Sequence, residues 1–158
     1  MLVDPNRGVL GIQGKDIPEV IGYFDKVREL AKQLSDVDLD KEARFYEVAA
    51  DLAIATDISP LEVTANLFAG ASDLQRLGNL LGAAICNYGV RLVPANQAPT
   101  GEEWFDYRIE PLLARPSSEY FSSIVHRSRD RDSVVTAAGK LSETIKALVG
   151  AMEGGAEP

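Results

Sequence analysis

The chain has 158 residues, of which 46% are hydrophobic, and its 24 acidic and 16 basic side chains give a formal net charge of −8. This length fits one domain with a substantial hydrophobic core, and the negative charge argues against nucleic acids and anionic membranes as partners. The single cysteine, Cys86, cannot form an internal disulfide, and the start of the chain has no signal-peptide pattern, so a reducing, cytoplasmic location is predicted.

Residues 1–15 are predicted to form an N-terminal arm, in which the short apolar run 9–12 is either a strand or an extended segment. The first helix is expected to begin at Asp16, because an aspartate is a favourable N-cap and Pro18 and Glu19 suit a first helical turn. Apolar residues at spacings of three and four then continue to Leu34, which predicts a helix with one face in the core.

A second helix is predicted over residues 40–56, with Asp40 as its N-cap. The apolar residues of this segment cover more than one face of a helix: Phe45, Tyr46, Val48, Ala49, Leu52, Ala53 and Ile54. A helix that is apolar on several sides is expected to lie in the centre of a bundle.

The stretch 60–94 is the longest apolar, charge-poor part of the chain, and it predicts two helices. Ser59 and Glu62 form a capping box around Pro60, and a second start signal follows at residues 72–75. In the second helix Gly78 and Gly82 lie one turn apart, and glycine inside a helix costs roughly 0.5–1 kcal/mol relative to alanine. The pair therefore predicts close approach by another backbone, either of the same bundle or of a second copy in a homodimer. Interspersed polar and charged residues argue against a membrane span.

Three more helices are predicted after a loop at residues 94–99. A short acidic helix is expected over 102–110, another around 117–125, and a long one over 133–152. No long segment alternates apolar and polar residues with period two. The predicted fold class is therefore all-α, a single-domain bundle of six or seven helices over residues 16–153, with a disordered tail at 154–158.

The last helix carries a heptad seam formed by Val134, Ala138, Leu141, Ile145, Leu148 and Met152. An isolated helix of this length is marginal in water, so the seam must be buried, either on its own bundle or against the same helix of another copy. We take the second alternative, a homodimer, as the prediction, with Gly78 and Gly82 as further interface residues.

The sequence has no phosphate-binding glycine loop, paired-cysteine metal site or nucleophile elbow, and no catalytic residues or cofactors are predicted. His126, the only histidine, lies beside Arg127 and Arg129 in a basic cluster that is suited to a phosphate or carboxylate. Trp104 and Tyr107 are expected to line a pocket near this cluster. The alternative is a solvated charged turn, because aspartates interleave the arginines.

Asp36, Asp38, Asp40 and Glu47 occupy positions 1, 3, 5 and 12 of an EF-hand-like loop and are the candidate metal ligands. The pattern departs from a calcium loop at Lys41, where the sharp turn needs glycine. Acidic residues before a helix also have an electrostatic reason to be there, because they face the positive end of the helix dipole.

The predicted function is that of a non-catalytic helical protein–protein interaction subunit, adaptor or regulatory partner that self-associates as a homodimer. The alternative is a small-ligand or anion-binding sensor, or a metal-dependent enzyme, with a pocket between bundle helices.

Overall fold

The computed structural model describes residues 1–4, 8–35 and 37–154. The helices are α1 (Ile17–Ser35), α2 (Leu39–Glu42), α3 (Pro60–Asn66), α4 (Ser72–Leu81) and α5 (Arg131–Met152). The strands are β1 (Leu2–Asp4), β2 (Val9–Gly11), β3 (Tyr46–Ala55), β4 (Val90–Leu92), β5 (Trp104–Pro111) and β6 (Glu119–Ser128). No helix in these ranges is both long and apolar enough to cross a membrane.

The chain is an α/β protein, so the prediction of an all-α bundle is wrong. β3, β6, β5 and β4 form a four-stranded antiparallel sheet in that spatial order, and β1 and β2 form a separate hairpin. The helices predicted over 40–56, 102–110 and 117–125 are, in their main part, the three long strands. The helices α1, α3, α4 and α5 confirm the remaining helix predictions, although α4 ends at Leu81.

The mistaken helices have a common cause. In β3 the even residues, among them Val48, Leu52 and Ile54, are half-buried and the odd residues are exposed, which is the alternation of a strand. Four alanines in this strand are good helix formers and obscure that alternation in the sequence. β5 and β6 are rich in aromatic and β-branched residues, which pack well on a pleated surface. Burial against distant elements therefore outweighs local helix propensity here.

The register assigns every strand residue to one of two sheet faces. Tyr46 lies opposite Ser128 at one end of the β3–β6 pair, and Ala55 lies opposite Glu119 at the other. Trp104 lies opposite Arg127 at the start of the β5–β6 pair. Successive side chains point to opposite faces, so the even residues of β3 and β6 share one face with the odd residues of β5.

That face is covered by α5 and forms the core. Leu141 and Ile145 of α5 are almost fully buried against Ile109, Tyr120 and Ile124 of the sheet. The helix begins after Asp130, whose carboxylate accepts from the backbone N–H groups of Asp132 and Ser133. The opposite face, which we call the open face, carries Arg91, Asp106 and the odd residues of β3 and β6.

Candidate functional site

Arg127, which is predicted from the sequence to bind an anion, binds other groups of the same chain. Its guanidinium donates to the Glu47 carboxylate at 2.6 and 2.8 Å and to the carbonyl oxygens of Pro99 and Gly101. It also lies 4.3 Å from the centre of the Phe45 ring, a cation–π distance. Arg127 therefore ties the loop before β5 to the start of β3.

Arg129 belongs to a neighbouring charged cluster. The Glu102 carboxylate accepts from Arg44 at 2.6 Å and from Arg129, and these two arginines, Arg44 first, lower the pKa of Glu102. The Glu103 carboxylate accepts from the Ser128 hydroxyl and from the backbone N–H of Arg129. Arg44, Arg129 and the two glutamates line a shallow depression of about 680 Å³, in which both arginines are paired with Glu102.

The other residues predicted to bind a ligand are not brought together. Trp104 lies on the open face, whereas Tyr107 and His126 lie on the face covered by α5. The His126 ring nitrogen Nδ1 is buried without a hydrogen-bond partner among the described residues, and burial lowers the pKa of this histidine. Burial likewise raises the pKa of the Tyr107 hydroxyl.

The candidate metal ligands have basic neighbours. Asp38 lies 3.5 Å from the Lys41 ammonium, and Glu47 is bound by Arg127. Asp40 accepts hydrogen bonds from Arg28 and from the Tyr46 hydroxyl. Asp36 lies outside the described residues. Within the described ranges, no three His, Cys, Asp or Glu side chains are grouped as metal ligands would be.

Asp40 is one member of an ionic network that ties four elements together. Arg28 of α1 pairs with Asp25 and Asp40, and Arg131 at the start of α5 also binds Asp25. The bond from Arg28, followed by that from Tyr46, lowers the pKa of Asp40. Burial and the neighbouring Asp40 raise the pKa of Tyr46 to about 12. The network positions α1 and α2 against the start of β3.

The predicted interface residues lie in two places. Gly82 follows the last turn of α4 with φ at 65°, and a side chain there would meet no atom within 4 Å. A Cβ at Gly78 would lie 2.8 Å from the carbonyl oxygen of Ala83, so its close neighbour is the turn after its own helix. The α5 seam faces the sheet of the same chain: Val134, Ala138, Leu141 and Ile145 are buried there, and Leu148 and Met152 pack beside them.

One surface that remains open for association is the outer edge of β3. β3 is the first strand of the sheet, and it pairs with β6 on one side only. It is ten residues long, whereas the opposite edge strand, β4, has three. No strand of the described ranges pairs with the outer side of β3.

The register shows which backbone groups of β3 point to that outer side. The backbone N–H of Thr56 donates to the carbonyl of Ser118 at 3.0 Å, and these residues continue the β3–β6 register. Opposite residues of an antiparallel pair alternate between bonded and non-bonded pairs. The even residues of β3 therefore bond to β6, and the odd residues direct their N–H and C=O groups outward.

The outward-bonding residues are small or acidic: Glu47, Ala49, Asp51, Ala53 and Ala55. All five are exposed. Proteins usually blunt an edge with charged side chains, a proline, a bulge or a very short strand. Residues 46–55 contain no proline and no bulge, and Glu47 and Asp51 are the charged side chains of this strand. The outer edge of β3, which we call the β3 edge, is therefore the candidate site.

The sequence did not predict this site, because residues 40–56 favour a helix locally. One signal was present: even positions 48–54 are apolar, and the two charged residues, Glu47 and Asp51, both occupy odd positions. Both also lie one helical turn apart, so the charge pattern alone does not separate strand from helix.

Comparisons with models of protein families, with curated proteins and with solved structures found no match. The geometry of the β3 edge is therefore the basis of the function proposed below.

Proposed function

We propose that the chain is a non-catalytic protein–protein interaction subunit that binds an extended partner strand along the β3 edge. The observation that carries this proposal is the ten-residue strand whose outward backbone groups have no paired strand in the described ranges. In strand addition, main-chain hydrogen bonds supply affinity and the alternating side chains supply specificity.

The side chains of β3 suit the approach of a second strand. Ala49, Ala53 and Ala55 place no bulk on the open face beside the edge. On the covered face Val48, Leu52 and Ile54 are only half-buried, although they pack against the core. A partner strand would cover their remaining apolar surface, and burial of such surface contributes roughly 25 cal/mol per Å².

The charged clusters give less support to a sensor or an enzyme. Arg127, Arg129 and Glu102 each bind other groups of the protein. Trp104 is separated by the thickness of the sheet from Tyr107 and His126. A role in association instead uses the outward backbone groups of β3, which have no paired strand in the described ranges.

The proposal is tested by amide hydrogen exchange with a strand donor. The probe is a synthetic peptide of residues 46–55 with lysines added at its end for solubility. At a protein concentration low enough to keep the chain monomeric, we expect saturable protection of the outward amides of Ala49, Asp51 and Ala53, while the inward amides of Ala50 and Leu52 are protected with or without peptide.

A proline provides the matched control. The N–H of Ala49 points outward, so Ala49→Pro removes a donor from the β3 edge without removing one from the β3–β6 pair. Ala49→Ser retains the donor. Protection by the peptide in Ala49→Ser and its loss in a folded Ala49→Pro support strand addition. Outward amides that exchange freely at saturating peptide would contradict it.

A further inference from the structure

We infer that the strand which occupies the β3 edge is β3 of a second copy, antiparallel to the first about a two-fold axis at Ala50. The inference rests on the proposed function and names its partner. Three features of β3 favour this arrangement. They are the alternation of its side chains between the two sheet faces, the positions of its two carboxylates and the pattern of its apolar residues.

The alternation of side chains between the two faces limits where a two-fold axis can lie. Side chains of paired strands must lie on the same face, so odd residues must oppose odd residues and even residues must oppose even ones. A two-fold axis then passes through a residue and never between two residues. The residues nearest the middle of β3 are Ala50 and Asp51, so one of them is the centre.

The positions of the carboxylates distinguish these two centres, and also the next nearest one, Ala49. An axis at Asp51 would set this carboxylate directly opposite its symmetry mate, and like charges in that position are destabilising. An axis at Ala49 would set Glu47 opposite Asp51, with the same defect. With the axis at Ala50, Glu47 lies opposite Ala53 and Asp51 lies opposite Ala49, so each carboxylate faces an alanine.

The apolar residues of β3 are also well paired when the two-fold axis lies at Ala50. On the covered face, Val48 lies opposite Leu52 of the second copy, Tyr46 lies opposite Ile54, and Ala50 meets its own mate on the axis. The outward-bonding odd residues also oppose one another, as an antiparallel pair of strands requires. The two cores are then joined across the edge into one apolar layer beneath one continuous sheet.

Disulfide trapping tests the centre. In a Cys86→Ser background, Ala50→Cys places the introduced cysteines of the two copies directly opposite each other. Their separation suits a disulfide. Ala53→Cys is the control, because six residues of offset separate its two copies by about 20 Å. We expect a covalent dimer from Ala50→Cys under mild oxidation and none from Ala53→Cys. A faster dimer from Asp51→Cys would overturn the centre at Ala50.

A pair of charge variants tests the same register without cross-linking. Ala53→Lys and Ala53→Glu both place a long charged side chain beside the edge, but only the lysine is opposite in sign to Glu47 of the second copy. We expect the dimer Kd from sedimentation equilibrium to be at least about fivefold lower for Ala53→Lys than for Ala53→Glu. Equal values would contradict this register.

Failure of this inference is distinct from failure of the proposed function. A wild-type protein that sediments as a monomer up to about 100 µM, at a salt concentration that screens its charge, overturns the second copy as partner. If the peptide of residues 46–55 still protects the outward amides in that protein, strand addition at the β3 edge stands.

Discussion

His126 lies on the covered face of β6, with its Nδ1 buried and unpaired among the described residues. Burial disfavours the charged imidazolium and lowers the pKa, while the carboxylate of Glu103 opposes this shift without cancelling it. A neighbouring arginine, Arg127, points to the other face and takes no part. Adjacent residues on one strand thus have opposite roles, one within the core and one at the surface.

The titration of His126 is therefore predicted to lie below the ordinary histidine value of 6.5. Because the unfolded state binds the proton more tightly, stability is expected to fall as pH drops through and below about 6.5. The chain has one histidine, so its imidazole signal in NMR measures the pKa without assignment by mutation. The variant His126→Gln should flatten the dependence of melting temperature on pH in this window. A pKa at or above 6.5 would mean that the ring is hydrated.

Among the helices, α5 and α4 differ in how far their leucines are buried. Leu141 of α5 is 1% exposed and packs on the sheet, whereas Leu80 and Leu81 of α4 are 78% and 70% exposed. Both helices have apolar residues at helical spacing, so the spacing alone does not distinguish them. They differ because α5 packs on the sheet. α5 has a broad apolar surface to cover, whereas much of the apolar surface of α4 remains in contact with solvent.

Substitution of these leucines should separate the two helices by stability. Leu141→Ala removes buried methyl groups and leaves a cavity, which typically costs about 2–5 kcal/mol. Leu80→Ala should change the free energy of unfolding by no more than about 0.5 kcal/mol, as is usual for exposed positions. Urea denaturation followed by circular dichroism measures both. A large loss from Leu80→Ala would show that α4 is buried in the assembled protein.

For the whole molecule, charge opposes the association that the β3 edge favours. Each copy carries a formal net charge of −8, and Asp51 of each copy lies close to the inferred two-fold axis. Two such molecules repel each other over a distance set by screening, which is about 8 Å at physiological ionic strength. Backbone pairing is short-ranged and less sensitive to salt.

Dimerisation of the wild-type protein is therefore predicted to strengthen with ionic strength. Between about 20 mM and 300 mM sodium chloride we expect the Kd to fall severalfold. Sedimentation equilibrium at neutral pH measures this change. The variant Asp51→Asn removes the carboxylate nearest the axis, and its Kd should be lower than that of the wild type and should depend less on salt. A Kd that rises with salt would indicate an interface held by ion pairs.

The sequence by itself determined four helices, because their start signals are local. The Ser59 cap, Pro60 at the first position of α3 and the heptad spacing of α5 depend only on neighbours within a few residues. It also determined that the α5 seam must be buried, although the predicted cover was a second copy and the seam packs on the sheet of the same chain.

Only the tertiary structure decided that residues 46–55, 104–111 and 119–128 are strands. Alanines in β3 and a capping-box pattern at Thr100–Glu103 favour helix locally, and they are outweighed by pairing with β6 and burial in the sheet. For Val48 opposite His126, the partner is 78 residues away in the sequence. The same long-range pairing created the candidate site. An edge strand exists only when a sheet has formed and its order is known, so no local pattern in the sequence contains that information.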